Sequence, residues 1–287
     1  MTTPDYRAHP DNYCYRHPDR QSFVLCQRCT RTICVECQTQ MPVGVICPEC
    51  LREQQKAANV TRMPRRARAA RVLRSGDRPI VTYGIVAVTV LAYLVALLPG
   101  IGDVVFSALA FNSGFLEPGP FFQPWRVLTV TLVHGSPWHI ALNMLALWAL
   151  GRSLEPLLGR WRFAALYVLS AMGGSVLVAL LAPYTWVIGA SGAVWGLLGA
   201  MFIIGRHIGA NVTAIAVLLG LNLVITFLPG SNISWQGHIG GGLVGLLVGW
   251  IYARTRATRQ QRTQKLLLTA TAAGLIALLA VSVALYS

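Results

Sequence analysis

Two regimes of hydrophobic and polar residues divide this chain at about residue 79. Before it, apolar residues are sparse and follow no sustained period, and after it long apolar runs recur. The runs lie at 80–98, 137–156, 162–182, 190–206, 211–229, 235–253 and 266–286. Each is close to the roughly 20 residues a helix needs to cross the hydrocarbon core of a bilayer. Pro99-Gly100, Pro183 and Pro229-Gly230 punctuate their ends, as proline and glycine do where helices stop. The pattern predicts an all-α membrane protein with seven spans. The connection 99–136 is the exception: semi-polar, long and rich in aromatics (Phe106, Phe111, Phe115, Phe121, Phe122, Trp125), it is expected to lie at the membrane interface.

Composition agrees with this pattern. Of 287 residues 54% are hydrophobic and 12% charged, about half the charged fraction of a soluble domain. The net charge of +14 is uneven, with fourteen of the 24 Lys and Arg before residue 79. Beside membrane spans such a basic stretch reads as a topology signal and a contact for anionic lipid. Nucleic acid is not an expected partner, because no aromatic or recognition-helix pattern accompanies the charge. Met1 to Asp11 are polar, so no secretory leader is expected there. With the N-terminus cytoplasmic, the inner loops hold Arg152, Arg160, Arg162, Arg206, Arg254, Arg256, Arg259, Arg262 and Lys265, and the outer loops only Arg126. The positive-inside rule then holds at every turn, the C-terminus lies outside, and the expected location is the cell membrane.

All seven cysteines fall between Cys14 and Cys50. They form the pairs Cys14-x-x-His17, Cys26-x-x-Cys29, Cys34-x-x-Cys37 and Cys47-x-x-Cys50, which is two tetrahedral ligand sets once His17 is counted. Closed Cys/His sets of four are structural Zn²⁺ sites, so two structural zinc ions are expected and no metal for catalysis. An odd number of cysteines at a cytosolic end argues against disulfides. Spacing leaves two pairings open: sequential, or cross-braced with Cys14, His17, Cys34 and Cys37 on one ion and Cys26, Cys29, Cys47 and Cys50 on the other. Residues 14–50 resemble a B-box-type zinc finger with Cys where other members carry His, and that resemblance implies cross-bracing. The arginine-rich stretch that follows lacks the large apolar residues of a core and reads as a linker near a membrane surface, helical in part.

Polar residues inside spans are candidates for function, because burying them in hydrocarbon is costly. They are His139, Asn143, Ser175, Ser191, Asn222 and His238, and no span is expected to hold Asp or Glu in its interior. Ser191 opens a span between Gly189 and Gly192, where a helix N-terminus offers free N–H groups to a developing oxyanion. His238 shares a helical face with Gly241 and Gly245, and small residues at that spacing let helices approach closely in membranes. Two glycine-lined helices in contact would bring Ser191 and His238 together at matching depth, and a neutral His would accept the Ser proton without an acidic third member. His139 and Asn143, four apart on one face, are suited to donate to the same oxyanion.

Over residues 80–254 these elements together resemble the rhomboid family of intramembrane serine proteases. The resemblance rests on Trp125-Arg126, on His134 and His139-x-x-x-Asn143, on Gly189-x-Ser191-Gly192, and on His238-x-x-Gly241-x-x-x-Gly245. It implies a six-helix core in which Ser191 is nucleophile, His238 base, and His139 with Asn143 the oxyanion hole, while the Trp125-Arg126 loop embeds in the outer leaflet. Trp195 departs from the Tyr often found one turn after the nucleophile, and an indole is expected to support the His238 ring equally. The implied activity is endoproteolysis of single-span membrane proteins near the outer face. A non-proteolytic membrane adaptor is the competing reading, disfavoured because such relatives lack the Ser-His pair. The expected organisation is a zinc finger over 1–52 for a cytosolic protein partner, a basic linker over 53–78, a rhomboid-like core over 79–254, and a basic loop with the seventh helix over 255–287.

Overall fold

The computed structural model describes residues 9–41, 44–61, 78–228 and 233–286. Most of the expected basic linker, the first eight residues and the helix end expected at Pro229-Gly230 lie outside the described residues. The chain divides into two compact units, Met1–Ser75 and Gly76–Ser287.

The first unit is built from short pieces. β1 (Tyr13–Cys14) pairs antiparallel with β2 (His17–Gln21), β3 (Thr39–Gln40) pairs with β4 (Val45–Ile46), and α1 (Pro48–Thr61) follows. Strands this short have no stability of their own. The buried residues are chiefly cysteines, with Ile33 and Ile46 the buried aliphatics. A core of that kind is one that a metal bound by its cysteines would hold together. α1 carries Cys50 and runs on to Thr61, into the stretch expected to be a partly helical linker.

The second unit is helical: α2 (Ile80–Ala96), α3 (Gly102–Leu109), α4 (Arg126–Thr129), α5 (Pro137–Leu158), α6 (Arg160–Leu181), α7 (Ser191–His207), α8 (Thr213–Thr226), α9 (Trp235–Arg254) and α10 (Gln261–Tyr286). The seven longer helices fall on the seven apolar runs. By length and composition α6 and α10 are long and apolar enough to cross a membrane, and α2 and α8 are shorter apolar helices. Leu147, Leu154, Phe163, Leu166, Leu197, Val248 and Ile251 form the centre of the core. Outside it, Leu91, Leu94, Val217, Leu221, Leu266 and Leu285 stand exposed, more large apolar side chains than a water-facing surface carries.

Glycine decides how closely the central helices pack. A Cβ on Gly241 of α9 would collide with the Gly192 backbone of α7, and one on Gly245 with the Gly196 backbone. Farther along the seam Gly249 faces Ala200. On its other side α9 meets α6 at Gly173 and Gly174, where a Cβ would stand 2.8 Å from the Gly240 carbonyl and 2.9 Å from the Gly237 carbonyl respectively. α10 docks on α6 through Arg162, whose guanidinium donates to Gln264 Oε1 and Gln261 Oε1, each at 2.7 Å.

Two features of the structure have no counterpart in the sequence pattern. Glu155 lies on α5 and is only 2% exposed. Its carboxylate accepts from Val81 N (2.9 Å), Thr82 N (2.8 Å) and Thr82 Oγ1 (2.7 Å), capping the free N–H groups at the start of α2. A buried carboxylate at the end of α5 is therefore tolerated, because three donors replace its water. The connection 99–136 is the second. It holds α3, α4 and 3₁₀ turns at Ser113–Leu116 and Val130–Leu132.

Candidate active site and metal clusters

Ser191 is the first residue of α7, preceded by a tight approach. Gly189 has φ +113, a backbone region that disfavours side chains, and a Cβ there would stand 2.6 Å from His139 Nε2. The approach is anchored to the ordered connection. Gly189 N donates to Val130 O at 3.0 Å, and Phe111 and Val187 exchange hydrogen bonds at 3.1 and 2.9 Å. Ser175 Oγ, from α6, donates to Val127 O at 2.8 Å. The connection is thus the scaffold that fixes where α7 begins.

The same scaffold holds Arg126, only 2% exposed. Its guanidinium donates to Ala110 O (2.7 Å), Gln123 Oε1 (2.8 Å) and Ser107 O, and lies over the Phe115 ring at 3.8 Å. Arg126 ties the connection to itself by satisfying carbonyls, while Trp125 beside it is half exposed.

His238 lies one turn inside α9 and is buried. Its ring stacks on Trp195, with centroids 5.1 Å apart and planes at 25°. Its Nδ1 is 3.0 Å from Thr226 Oγ1. The backbones beside the two residues touch, since Gly192 lies against both Gly237 and Gly241. Ser191 and His238 are not hydrogen-bonded to each other among the described residues. Nucleophile–base contacts of free enzymes often tighten only when substrate is present.

α5 brings the polar pair to the same end. Ser136 caps the helix by accepting from His139 N at 3.2 Å. Asn143 Nδ2 donates to His139 O at 2.9 Å, and an amide carries two hydrogens, so one donor remains. His139 packs edge-on to His134, centroids 4.8 Å apart, and His134 Nε2 accepts from Ala190 N at 3.5 Å. A small cavity of about 40 Å³ opens beside Ser191, lined by Gly189, Ile188, Val130, Ser175 and Gly237 among others, and His139, Asn143 and His238 are not part of its lining. That is room for a few water molecules.

In the first unit the ligand atoms gather into two sets: Cys14, His17, Cys34 and Cys37, and Cys26, Cys29, Cys47 and Cys50, each within 4.8 Å. This is the cross-braced pairing. Zn–S and Zn–N distances of about 2.3 and 2.0–2.1 Å in a tetrahedron put ligand atoms about 3.8 Å apart for S···S and about 3.6 Å for S···N. His17 Nδ1 lies 3.3, 3.4 and 3.8 Å from the sulfurs of Cys34, Cys37 and Cys14, and Cys29 and Cys47 are 3.8 Å apart. The residues fit zinc. Burial pushes the Cys37 thiol up to about 11, helped by the neighbouring Cys14 and Cys34 sulfurs. At Cys14 the same burial is outweighed by donors from the Cys34, Arg16 and His17 backbone, and its value falls to about 6. Arg31 donates to Cys29 Sγ (3.3 Å), pairs with Glu49 (2.5 Å) and covers the Tyr15 ring (4.1 Å). It offsets part of the negative charge that a four-thiolate site carries.

Two contributors escaped the sequence. Thr226 sits among apolar residues of α8 and shows no spacing signal. Gly173 and Gly174 form a visible pair on α6, whose partner on α9 only packing reveals.

The Rhomboid domain family model matches residues 122–255. Rhomboid protease GluP of Bacillus subtilis (strain 168) is 32% identical over 188 residues, 61% of this chain and 35% of that protein. RHOMBOID-like protein 4 of Arabidopsis thaliana is 37% identical over 136 residues, 45% and 34% of the two chains. The mitochondrial Rhomboid protein 1 of Saccharomyces cerevisiae is 32% identical over 145 residues, 45% and 42% of the two chains. The chain thus spans between 34% and 42% of the length of these three relatives. The matches support the rhomboid family for the helical unit, and the family match begins after the cysteine clusters.

Proposed function

We propose that this chain is a rhomboid-family intramembrane serine endopeptidase, in which Ser191 attacks the scissile carbonyl and His238 takes its proton. The observation that carries the reading is the glycine seam between α7 and α9, which sets the N-terminus of the Ser191 helix against the turn that bears His238. The proton passes from Ser191 Oγ to His238, and the oxygen bonds to the carbonyl carbon. The resulting oxyanion is stabilised by N–H groups at the start of α7, the spare Asn143 amide hydrogen and the His139 ring. His238 returns the proton to the leaving amine, and water then cleaves the acyl-enzyme. Trp195 holds the imidazole plane. The substrates are single-span membrane proteins, cut near the outer face with the enzyme embedded by seven spans in the cell membrane. The arginine distribution supports a cytoplasmic N-terminus and an outer C-terminus.

The first unit is proposed as a B-box-type finger holding two zinc ions structurally, for a cytosolic protein partner. A membrane adaptor that binds clients without cutting them is the other reading.

The test is cleavage of a single-span substrate in reconstituted vesicles by wild type, Ser191→Ala and His238→Ala. Cutting by wild type alone is expected. Binding without cutting by wild type would favour the adaptor.

A further inference from the structure

Thr226 is the last residue of α8 and the buried one among that helix's residues. Its hydroxyl oxygen lies 2.7 Å from the Asn222 carbonyl, one turn back, and 3.0 Å from His238 Nδ1. A threonine hydroxyl carries one hydrogen and two lone pairs. The bond back to the i−4 carbonyl uses that hydrogen. The oxygen can then only accept from Nδ1, so Nδ1 must carry the imidazole proton. A neutral imidazole has one N–H, which leaves Nε2 with a free lone pair. That is the tautomer a general base requires.

The ring needs such an anchor. Stacking on Trp195 fixes its plane but permits the half-turn about Cβ–Cγ that trades Nδ1 for Cδ2, and leaves the tautomer open. A hydrogen bond at Nδ1 removes this freedom.

Resting on the dyad reading above, we propose that Thr226 is a positioning residue that holds His238 in the Nδ1–H tautomer, with Nε2 as acceptor for the Ser191 proton. When that proton arrives, the imidazolium donates a charge-assisted bond to the same oxygen, and such bonds are stronger than neutral ones. The hydroxyl therefore favours the charged state of His238 over the resting state, the role a carboxylate plays in a three-membered site. The bond also ties function to the C-terminal end of α8, a helix whose remaining side chains are otherwise exposed or partly so.

The experiment compares full-length wild type, Thr226→Val and Thr226→Ser in vesicles, measuring kcat and KM for a single-span substrate. Labelling of Ser191 by a fluorophosphonate and the ¹⁵N shifts of the His238 ring, identified by its loss in His238→Gln, complete the set. Valine keeps the shape and deletes the hydroxyl, and serine keeps the hydroxyl. For Thr226→Val, kcat and the labelling rate should fall about 10- to 100-fold, the range for a hydrogen bond to a charged group, at unchanged KM. Thr226→Ser should restore both. The ring should be Nδ1-protonated in wild type and mixed in Thr226→Val. Equal losses in Val and Ser variants would make the role one of packing and overturn the proposal, as would wild-type kcat in Thr226→Val. Should wild type neither cut nor label, the protease reading fails first. The ring shifts still decide whether Thr226 sets the tautomer, and an Nε2-protonated wild-type ring would overturn it.

Discussion

Gly241→Ala should cost this protein far more than Gly242→Ala, although the two glycines are adjacent in sequence. A Cβ on Gly241 would lie 2.6 Å from the Gly192 carbonyl carbon, and a Cβ on Gly242 would meet Trp195 Cε3 at 3.5 Å, an ordinary contact. Carbon–carbon contacts settle at about 3.5–4.0 Å, so the Gly241 variant must part α7 and α9 by about 1 Å. The obstacle is backbone on both sides, with no flexible side chain to yield. Forced overpacking of this kind costs about 1–3 kcal/mol. Gly192 adjoins Ser191, and His238 lies one turn from Gly241, so the displacement falls between the proposed nucleophile and base. A misplacement of about 1 Å there lowers turnover about 100-fold. The assay is kcat/KM for a single-span substrate in vesicles, beside the melting temperature in detergent. Gly242→Ala should stay near wild type in both. Equal behaviour of the two variants, in either direction, would refute the argument that backbone contact at this seam sets the site.

Three further outcomes follow from particular contacts. Glu155→Ala removes the acceptor of two α2 amides and the Thr82 hydroxyl, at about 1–3 kcal/mol for each group left unpaired. The melting temperature should drop markedly while kcat of the folded fraction holds, since Glu155 lies about 24 Å along α5 from His139, and loss of kcat without loss of stability would contradict this. Trp195→Ala should reduce kcat by about 2- to 10-fold, the worth of one ring stack of about 0.5–1.5 kcal/mol, and Trp195→Tyr should retain activity; a tyrosine variant as impaired as alanine would show that the indole does something else. Metal analysis of the purified chain should give two zinc ions, with Cys34→Ala losing the Cys14–His17–Cys37 site; a zinc content unchanged by that substitution would rule out the cross-braced set.

The sequence alone determined those features whose physics is local. Seven apolar runs became seven helices, because a helix satisfies its own backbone and needs only a sufficient stretch of apolar side chains. The four two-residue gaps between Cys or His identified eight candidate ligands, because a tight turn suffices to aim both members of a pair at one ion. The sequence also singled out Ser191, His238, His139 and Asn143, as polar groups in stretches that otherwise exclude them. Tertiary structure decided what depends on distance along the chain. It chose the cross-braced pairing, which joins Cys14 to Cys34 and Cys26 to Cys47 across intervening turns. It gave Glu155 its partners 73 and 74 residues away, turning a residue that hydrocarbon should exclude into a helix cap. It also anchored the start of α7 to the connection 99–136, whose aromatic composition suggested an interface without revealing a scaffold. Thr226 shows the same limit most plainly. A hydroxyl among apolar neighbours carries no signal of its own, and only the fold sets the last residue of α8 opposite His238 Nδ1.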